Sequence, residues 1–276
     1  MHILQLCPRV PYPPHDGGAI AMYETARGLA QAGHRVTVLA INTPKHHQPA
    51  DVLDHLGPNV RLVTVDVDTR IRLLAALQNL IFSDECYIVE RFISPVLLAK
   101  LVELVLATNV DVVQFEGTFV AWYARPLRQQ LQNEDKAGPQ KPLFVLRAHN
   151  VEYTIWQMLA ERAGNPLKKW YVQKLAQRLE VFELEMLAGF EAVAAITEED
   201  AGRLHRMRYR GRPAPASASA GGGPAFAFIP ASFDLQRFQP ATAPPQPRTL
   251  FLIGSLNWLP NLEGLDWFLK EIWPPA

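Results

Sequence analysis

The sequence predicts an α/β fold, in which a Rossmann-like parallel sheet carries helices on both faces. Short apolar runs of strand length alternate with segments of helical periodicity from the first residue onward, and this alternation is typical of βαβ units. The 276 residues are 49% hydrophobic, which is enough apolar material to cover both faces of a large sheet. We therefore expect one large α/β domain, followed by the start of a second one.

Seven apolar runs are predicted to be strands. Each is rich in aliphatic residues and is bounded by polar or turn-forming residues. Since helix-length segments rather than two-residue turns separate most of them, the sheet is expected to be parallel. In chain order the runs are HILQL (2–6), RVTVLAI (35–41), NVRLVTVDV (59–67), DVVQF (111–115), PLFVLRA (142–148), AVAAI (192–196) and FAFIP (226–230).

Three helices carry clear signals. The first is predicted over residues 19–32, behind the glycine pair that opens it. An apolar segment at 71–82 is too short to span a bilayer, so a core helix is favoured over a membrane-docking or lipid-acceptor surface. A third helix has Asn165 as its cap and Pro166 in its first turn. Its residues at helical spacing are expected in the core: Leu167, Trp170, Tyr171, Leu175, Leu179, Phe182 and Met186.

A proline-rich segment at 239–248 divides the chain. Residues 1–238 form the predicted large domain, which contains a low-complexity, flexible loop at 211–225, and residues 249–276 form one strand and one helix of a second domain. A lone βα unit cannot bury the apolar stripe of that helix. We therefore expect the chain to be a fragment of a longer protein that exposes this stripe, formed by Leu262, Leu265, Phe268, Leu269 and Ile272.

Composition excludes several classes of function. Basic and acidic residues balance at 27 each, so no nucleic-acid partner is expected. Two cysteines and the absence of a signal peptide or a membrane-length apolar run indicate a cytoplasmic protein. No metal site is expected, because the pair His46 and His47 and the DVD sequence at 66–68 lack supporting ligands.

Ligands of open parallel sheets bind beyond the carboxyl ends of the strands. The loop after the first strand, CPRVPYPPHDGG, lacks the spacing of a dinucleotide fingerprint, so an NAD or FAD enzyme is disfavoured. Its Gly17 and Gly18 would let a phosphate or a sugar approach the unpaired N–H groups of a helix start. The alternative is a tight turn capped by Asp16.

Polar residues also follow three later strands. Glu116 follows the fourth strand, while His149, Asn150 and Glu152 follow the fifth. Together they can hydrogen-bond sugar hydroxyls and stabilise positive charge at an anomeric carbon, although each alone could simply hold a loop. Thr197 and Asp200, after the sixth strand, have the spacing of a capping box. This spacing favours a helix start, with Thr197 facing the cleft as the alternative.

The ordered blocks resemble the retaining glycosyltransferases of family four, which have the GT-B fold of two facing Rossmann-like domains. The resemblance covers essentially the whole chain outside the 211–225 loop. It rests on PYPPHDGGAIAMYETARGLAQAGHRVTVL, DVVQFEG, LRAHNVEYTIW, AITEEDAGRL and LFLIGSLNWLPNLEGLDWFLKEIWP. The implied architecture is a GT-B N-terminal domain plus the first βα unit of the C-terminal domain.

The resemblance implies transfer of a sugar from a nucleotide-sugar donor to a glycan or lipid-linked acceptor, with retention and without a metal or another cofactor. The N-terminal domain would shape the acceptor side, and the C-terminal domain would grip the nucleotide. His149 is implied as the catalytic residue beside the transferred sugar. The implied substrate-binding residues are Gly17, Gly18, Glu116, Asn150, Glu152 and Thr197, with Gly254 and Ser255 on the donor-phosphate side.

The sequence departs from the family pattern in two places. IPASFD, with Ala231 and Ser232, stands where the family has an Asn-Gly pair. The basic pair and the paired glutamates that grip the donor would lie beyond Ala276, so the chain alone is expected to be inactive. By analogy the pathway is cell-envelope or exopolysaccharide assembly, with peripheral contact at the inner membrane. The alternative function is a non-catalytic glycan-binding or partner-binding module.

Overall fold

A parallel sheet organises the chain, as the sequence predicts. The computed structural model describes residues 1–49, 57–133, 141–209, 223–234, 240, 244, 246–254, 256 and 259–273. Within these residues the sheet has seven strands in the order β3-β2-β1-β4-β5-β6-β7, and every neighbouring pair is parallel. The order reverses beside β1, so the carboxyl ends of β1 and β4 flank the switch point at which such sheets bind ligands.

All seven strands predicted for the large domain form, and among the described residues α-helices lie between every consecutive pair except β2 and β3. The strands are β1 (His2–Cys7), β2 (Arg35–Asn42), β3 (Val60–Asp66), β4 (Val112–Glu116), β5 (Leu143–Ala148), β6 (Ala192–Ala195) and β7 (Ala225–Phe228). The helices are α1 (Gly17–Gln31), α2 (Leu73–Phe82), α3 (Tyr87–Glu90), α4 (Pro95–Thr108), α5 (Thr118–Ala121), α6 (Ala124–Asn133), α7 (Glu152–Glu161), α8 (Pro166–Met186), α9 (Glu198–Tyr209) and α10 (Leu259–Trp267).

The central strands are buried on both faces, which explains their almost unbroken aliphatic sequences. In β2, Leu39 and Ile41 pack into a core layer shared with α4, whereas Val36 and Val38 pack into a second layer against α1. Alternate side chains of one strand therefore fill two layers, as the pleat of a strand requires. This packing fixes the positions at which the loops leave the sheet.

Helix α1 begins at Gly17, two residues earlier than predicted. Asp16 lies outside the helix with extended backbone, and its carboxylate accepts a hydrogen bond of 3.1 Å from the N–H of Ala19. This cap makes both glycines the first residues of the helix. Asp16 also forms an ion pair with Arg9, in the loop after β1.

Two predictions of core packing are wrong. Helix α2 is exposed along most of its length: Leu73 and Phe82 are 84% and 83% exposed, and only Ala76 and Asn79 are buried. At the start of α8, Leu167 and Trp170 are exposed, whereas Leu175 and Leu179 are buried as expected. Apolar spacing identified the helices correctly, but their packing against α3 and neighbouring helices covers only part of each apolar surface. No helix among the described residues combines the length and apolar content needed to cross a bilayer.

The strand predicted within 249–276 does not form. Residues 249–253 are exposed and pair with no strand in the described part of the chain, and a strand is not stable without a neighbour for its backbone groups. Most of the 211–225 loop and half of the 239–248 linker lie outside the described residues, although Ala225, which was predicted to end the loop, begins β7. The domain boundaries stay a prediction.

The apolar stripe of α10 and of the π-helical turn that follows it (Phe268–Ile272) gives a first testable prediction. Leu262, Leu269 and Ile272 are about half exposed, as expected for a helix without its own sheet. Chain 1–276 should therefore elute from a sizing column as species larger than its 31.0 kDa monomer at high concentration. Leu262→Glu combined with Leu269→Glu should restore the monomer, whereas Val96→Glu on α4 should not. A monodisperse monomer of the unchanged chain would contradict this prediction.

Candidate functional site

The carboxyl edge of the sheet brings two predicted site residues into contact. Glu116 ends β4, and its backbone pairs in register with Arg147 of β5; His149 follows β5 directly. The Nε2 atom of His149 lies 2.6 Å from Oε2 of Glu116. The side chain of Glu116 is fully buried, whereas that of His149 is 14% exposed. Glu116 is thus enclosed by the protein, whereas part of the His149 ring is accessible at the carboxyl edge of the sheet.

The environment of Glu116 fixes how the imidazole is held. An ionised carboxylate only accepts hydrogen bonds, so the 2.6 Å contact requires a hydrogen on Nε2 of His149. Among the described residues no hydrogen-bond partner of Nδ1 is found. Nδ1 of His149 therefore keeps its hydrogen-bonding capacity, and the carboxylate at Nε2 supplies negative potential.

Two side-chain amides, that of the buried Gln5 and that of the half-buried Gln114, hold the other oxygen of Glu116. Gln5 of β1 and Gln114 of β4 both donate from Nε2 to Oε1 of Glu116, Gln5 at 2.7 Å. Gln5 also donates to the backbone carbonyl of Met22 in α1, at 3.1 Å. A carboxylate with three donors is stabilised in place despite its burial. Gln5 links the first helix to the Glu116–His149 pair.

Gly117 provides the turn that leads away from Glu116. Its φ of +88° lies in a region that residues with a Cβ rarely adopt. Its N–H donates to the carbonyl of Arg147 at 2.9 Å, and a Cβ at this position would lie 4.0 Å from Cδ2 of His149. The glycine therefore allows the chain to turn immediately beside the histidine.

Asn150 and Glu152 form a local contact beside the histidine. Asn150 is exposed, and its Nδ2 donates to Oε1 of Glu152 at 3.1 Å. Burial raises the pKa of Glu152, while the hydrogen bond from Asn150 and the nearby His149 act in the opposite direction. These two predicted residues therefore lie next to the Glu116–His149 pair without a hydrogen bond to it among the described contacts.

The glycine pair leaves open space at the start of α1. Neither glycine has a positive φ. A Cβ at Gly17 would meet no atom within 4 Å, and one at Gly18 would lie 3.5 Å from Nη2 of Arg9. The chain's own packing therefore does not require glycine at either position. Asp16 caps the helix, as the alternative interpretation predicts, whereas the approach of a phosphate or a sugar to this helix start stays a prediction.

Thr197 and Gly254 are exposed. Oγ1 of Thr197 accepts the N–H of Asp200 at 3.0 Å, so the predicted helix start at α9 is confirmed. A Cβ at Gly254 would lie 3.0 Å from Nδ2 of Asn261, while Ser255 lies outside the described residues. No hydrogen bond joins Thr197 or Gly254 to the Glu116–His149 pair in the described part of the chain.

The segment IPASFD is fixed at the same edge. The guanidinium of Arg147, which is almost fully buried, donates to the carbonyls of Ile229 and Pro230 at 3.3 and 3.1 Å. Asp234 forms an ion pair of 3.1 Å with Arg27 of α1. These contacts hold the segment that carries Ala231 and Ser232 against the sheet and the first helix.

The sequence analysis missed the residues that support this region from inside the fold, and for Gln5 and Glu183 a signal was available. Gln5 lies inside the apolar strand HILQL, and Glu183 lies four residues after Leu179 on the buried side of α8. A polar residue at a position that periodicity assigns to the core was the available signal in both cases. The described residues contain no group of three or more histidine, cysteine or acidic side chains that could hold a metal ion.

The fold defines the class of protein. The chain superposes on the sucrose-phosphate synthase of Thermosynechococcus elongatus with a TM-score of 0.54 and 15% identity, covering 87% of this chain and 51% of that one. It thus has the Rossmann-like domain of the GT-B glycosyltransferases. The family model described as "Glycosyl transferase 4-like domain" matches residues 16–217. The chain belongs to this glycosyltransferase family.

Two further structures show weaker similarity. The α,α-trehalose 6-phosphate synthase of Burkholderia multivorans has 14% identity and a TM-score of 0.44 over 83% of this chain and 49% of that one. The Arabidopsis thaliana protein UGT89C1, solved in complex with UDP-L-rhamnose, has 13% identity and a TM-score of 0.41 over 75% and 47%. The chain thus spans about half the length of these proteins. A search of curated proteins found no match.

Proposed function

We propose that this chain is the acceptor-side part of a retaining glycosyltransferase, which moves a sugar from a nucleotide sugar to a glycan or a lipid-linked acceptor. The observation that carries the proposal is the Glu116–His149 contact of 2.6 Å at the carboxyl edge of the sheet. The membership of the family supports the reaction class. The contact identifies the imidazole of His149, held by Glu116, as the group that takes part in sugar transfer. The proposed reaction uses no metal.

His149 acts at the transferred sugar. Its Nε2–H is held by Glu116, so Nδ1 is the atom that meets a sugar hydroxyl. Positive charge develops at the anomeric carbon as the glycosidic bond to the phosphate breaks. The buried carboxylate behind the imidazole stabilises this charge through the ring, and because the protein already holds both groups, little reorganisation accompanies the reaction.

Gly17 and Gly18 lie where the diphosphate of the nucleotide-sugar donor would bind. They are the first residues of α1, whose opening N–H groups and dipole favour an anion. The absence of side chains at both positions leaves the approach open. Asn150, Glu152 and Thr197 supply hydrogen-bonding groups on the acceptor side. On the second domain, Gly254 and Ser255 complete the proposed donor-phosphate site.

The direct test uses the protein as it is encoded, including any continuation of the reading frame past Ala276. The protein is incubated with UDP-glucose, GDP-mannose or ADP-glucose, with water or octyl glucoside as the acceptor. Release of the nucleoside diphosphate is measured, and the anomeric configuration of a product is read by proton NMR. We expect release from one donor and an α-linked product. An inverted product would overturn retention, and the absence of both release and saturable donor binding would overturn the proposed activity.

The alternative is a glycan-binding or partner-binding module built on the same domain. The exposure of Asn150 and Thr197 at the sheet edge is compatible with it, because these groups can bind a glycan without any transfer. Calorimetric titration distinguishes the two functions. Affinity for glycans in a protein that neither binds nor consumes any of the three donors would favour the module.

We also propose that the protein works in the cytoplasm, in cell-envelope or exopolysaccharide assembly, and contacts the inner membrane through α2. Ile71, Leu74 and Ile81 are more than 60% exposed, as are the residues at both ends of the helix. Arg70 and Arg72 are exposed just before it and are paired to Asp68. An exposed apolar helix bordered by arginines suits the interface of a bilayer.

Vesicle binding tests this surface. Leu74→Gln combined with Phe82→Gln should lower binding to vesicles of phosphatidylethanolamine and phosphatidylglycerol by at least about tenfold, because each buried side chain of this size contributes roughly 1.5–3 kcal/mol. Binding is measured by co-sedimentation. Val96→Gln, a similarly exposed apolar residue on α4, is the matched control. Equal binding of all three proteins would contradict a role of α2 at the membrane.

A further inference from the structure

A buried carboxylate on α8 lies between the two segments that leave the site strands. Glu183 is fully buried. Its Oε1 accepts hydrogen bonds from Oγ1 of Thr118 at 2.9 Å and from the N–H of Glu152 at 3.0 Å. Its Oε2 accepts the N–H of Tyr153 at 3.0 Å. Thr118 follows Glu116 by two residues and Glu152 follows His149 by three, so one carboxylate contacts both segments of the site.

Two of these hydrogen bonds replace the usual cap of α7. This helix begins after Val151, whose side chain does not cap it. Its opening N–H groups are satisfied instead by Glu183 of α8, which lies 31 and 30 residues further along the chain than the two donors. A carboxylate at a helix N-terminus is favourable. The direction in which α7 leaves His149 is therefore set by α8.

Simple packing does not explain a carboxylate at this position. Leu175, Leu179 and Glu183 follow one another at four-residue spacing on the buried side of α8, so an aliphatic residue would continue the row. Burial raises the pKa of Glu183 to about 7, although its three hydrogen bonds act in the opposite direction. The folded chain thus holds a carboxyl group in an environment that disfavours its charged form. The hydrogen bonds from the two site segments explain why a carboxylate occupies this position.

We propose that Glu183 is a positioning residue, which holds the segments after β4 and β5 together so that Glu116 and His149 keep their hydrogen bond. It does not touch the substrate. It acts through Thr118 on one side and through the start of α7 on the other. Its importance for catalysis rests on the proposed function, whereas its effect on the histidine can be measured without any substrate.

The test reads the imidazole of His149 directly. In ¹⁵N-histidine-labelled chain 1–276, the ring nitrogens of His149 are assigned by comparison with His149→Gln. The unchanged chain should show hydrogen held on Nε2. In Glu183→Leu we expect the two ring nitrogens to shift towards the averaged values of an exchanging imidazole, with a smaller shift in Glu183→Gln. Glu191→Gln is the matched control, because Glu191 also accepts a backbone N–H, that of Phe144 at 2.7 Å, at the opposite end of β5.

A second variant keeps the test decisive if Glu183→Leu does not fold. Thr118→Val removes one hydrogen bond and leaves the cap of α7 intact, so it should produce a partial shift of the same signals. Unchanged His149 signals in folded Glu183→Gln and Thr118→Val would overturn the proposal. If the protein transfers sugar, Glu183→Gln should lower kcat by up to about 100-fold with little change in the donor KM, since displaced catalytic groups cost rate. Absence of transfer in every variant would count against the proposed function and leave the NMR result standing.

Discussion

Replacing His149 with alanine is expected to lower kcat for sugar transfer by about 100- to 1,000-fold. A group that stabilises developing charge in a preorganised site contributes roughly 3–4 kcal/mol to the transition state. His149 is the exposed member of a pair whose other member is buried, and it is therefore the member that can reach the sugar. The measurement is the rate of nucleoside diphosphate release in the encoded protein, with the donor that the panel identifies.

The controls separate chemistry from folding. His34→Ala removes a histidine before β2, at the amino edge of the sheet, and should leave kcat within about twofold. The far-UV circular dichroism and a cooperative melting transition should show that His149→Ala is folded, at a lower melting temperature because the buried Glu116 loses a hydrogen-bond donor. Unchanged turnover in a folded His149→Ala protein would remove this residue from the chemistry.

Glu116→Gln tests the tautomer rather than the presence of the ring. An amide has one oxygen, and Gln5 and Gln114 already donate to Oε1. The amide nitrogen of the new side chain would therefore face Nε2 of His149 and donate to it, which moves the ring hydrogen to Nδ1. We expect a loss of about 10- to 100-fold in kcat, together with a visible change in the ¹⁵N signals of the ring. A fully active protein would contradict the assigned orientation.

The sheet was predictable because its chemistry is uniform. The central strands are buried on both faces and need aliphatic residues at nearly every position, and the partly exposed edge strands β3 and β7 also form where apolar runs predict them. The helices were harder. Periodicity shows which face of α2 and α8 is apolar but does not show what covers it, so Leu74 and Trp170 were expected in the core and are exposed. The strand at 249–253 failed for a related reason, because pairing depends on a neighbour that local sequence does not describe.

The candidate site was predictable to the extent that strand ends define it. The rule that ligands bind beyond the carboxyl ends of parallel strands selected Glu116 and His149, which lie 2.6 Å apart. The same rule cannot find residues that support the site from inside the fold. Gln5 and Glu183 lie within apolar segments, and their partners are 111 and 65 residues away in sequence. Only the folded chain brings these polar groups together.

The buried carboxyl of Glu183 should make stability fall as pH rises from about 4.5 to 7. Its pKa in the folded chain is about 7, against an ordinary value of 4.5, because burial disfavours the charged form. The folded chain therefore holds a proton that the unfolded chain has released in this interval. The stabilising contribution of the Glu183 carboxyl to the free energy of unfolding is fully present below pH 4.5 and is lost as pH passes 7. The shift corresponds to about 3 kcal/mol of unfolding free energy.

Comparison with Glu183→Gln isolates this contribution. Glutamine has nearly the same shape and does not titrate, so the two proteins should behave similarly near pH 4.5. The unchanged chain should then lose up to about 3 kcal/mol relative to the variant by pH 8. Other groups titrate in the same interval: burial raises the pKa of Glu152 and lowers those of His2 and His46. They are present in both proteins, so the difference between the two curves largely removes their effect.

Urea unfolding of both proteins at half-unit steps from pH 4.5 to 8 measures the difference. A difference in unfolding free energy that stays constant from pH 4.5 to 8 would show that Glu183 binds no extra proton in the folded chain. The raised pKa assigned to its buried carboxyl would then be wrong. If the difference in unfolding free energy between the two proteins instead widens as pH rises, Glu183 loses its proton in the folded chain over this range, and this affects the site. Above pH 7 the carboxylate is charged and binds the N–H groups of α7 most strongly, so the hydrogen bonds that position His149 strengthen while the fold as a whole loses stability. In the proposed enzyme, the pH of maximum stability would then differ from the pH at which His149 is held most firmly. Such a difference is expected where a buried charge supports a functional site rather than the stability of the core.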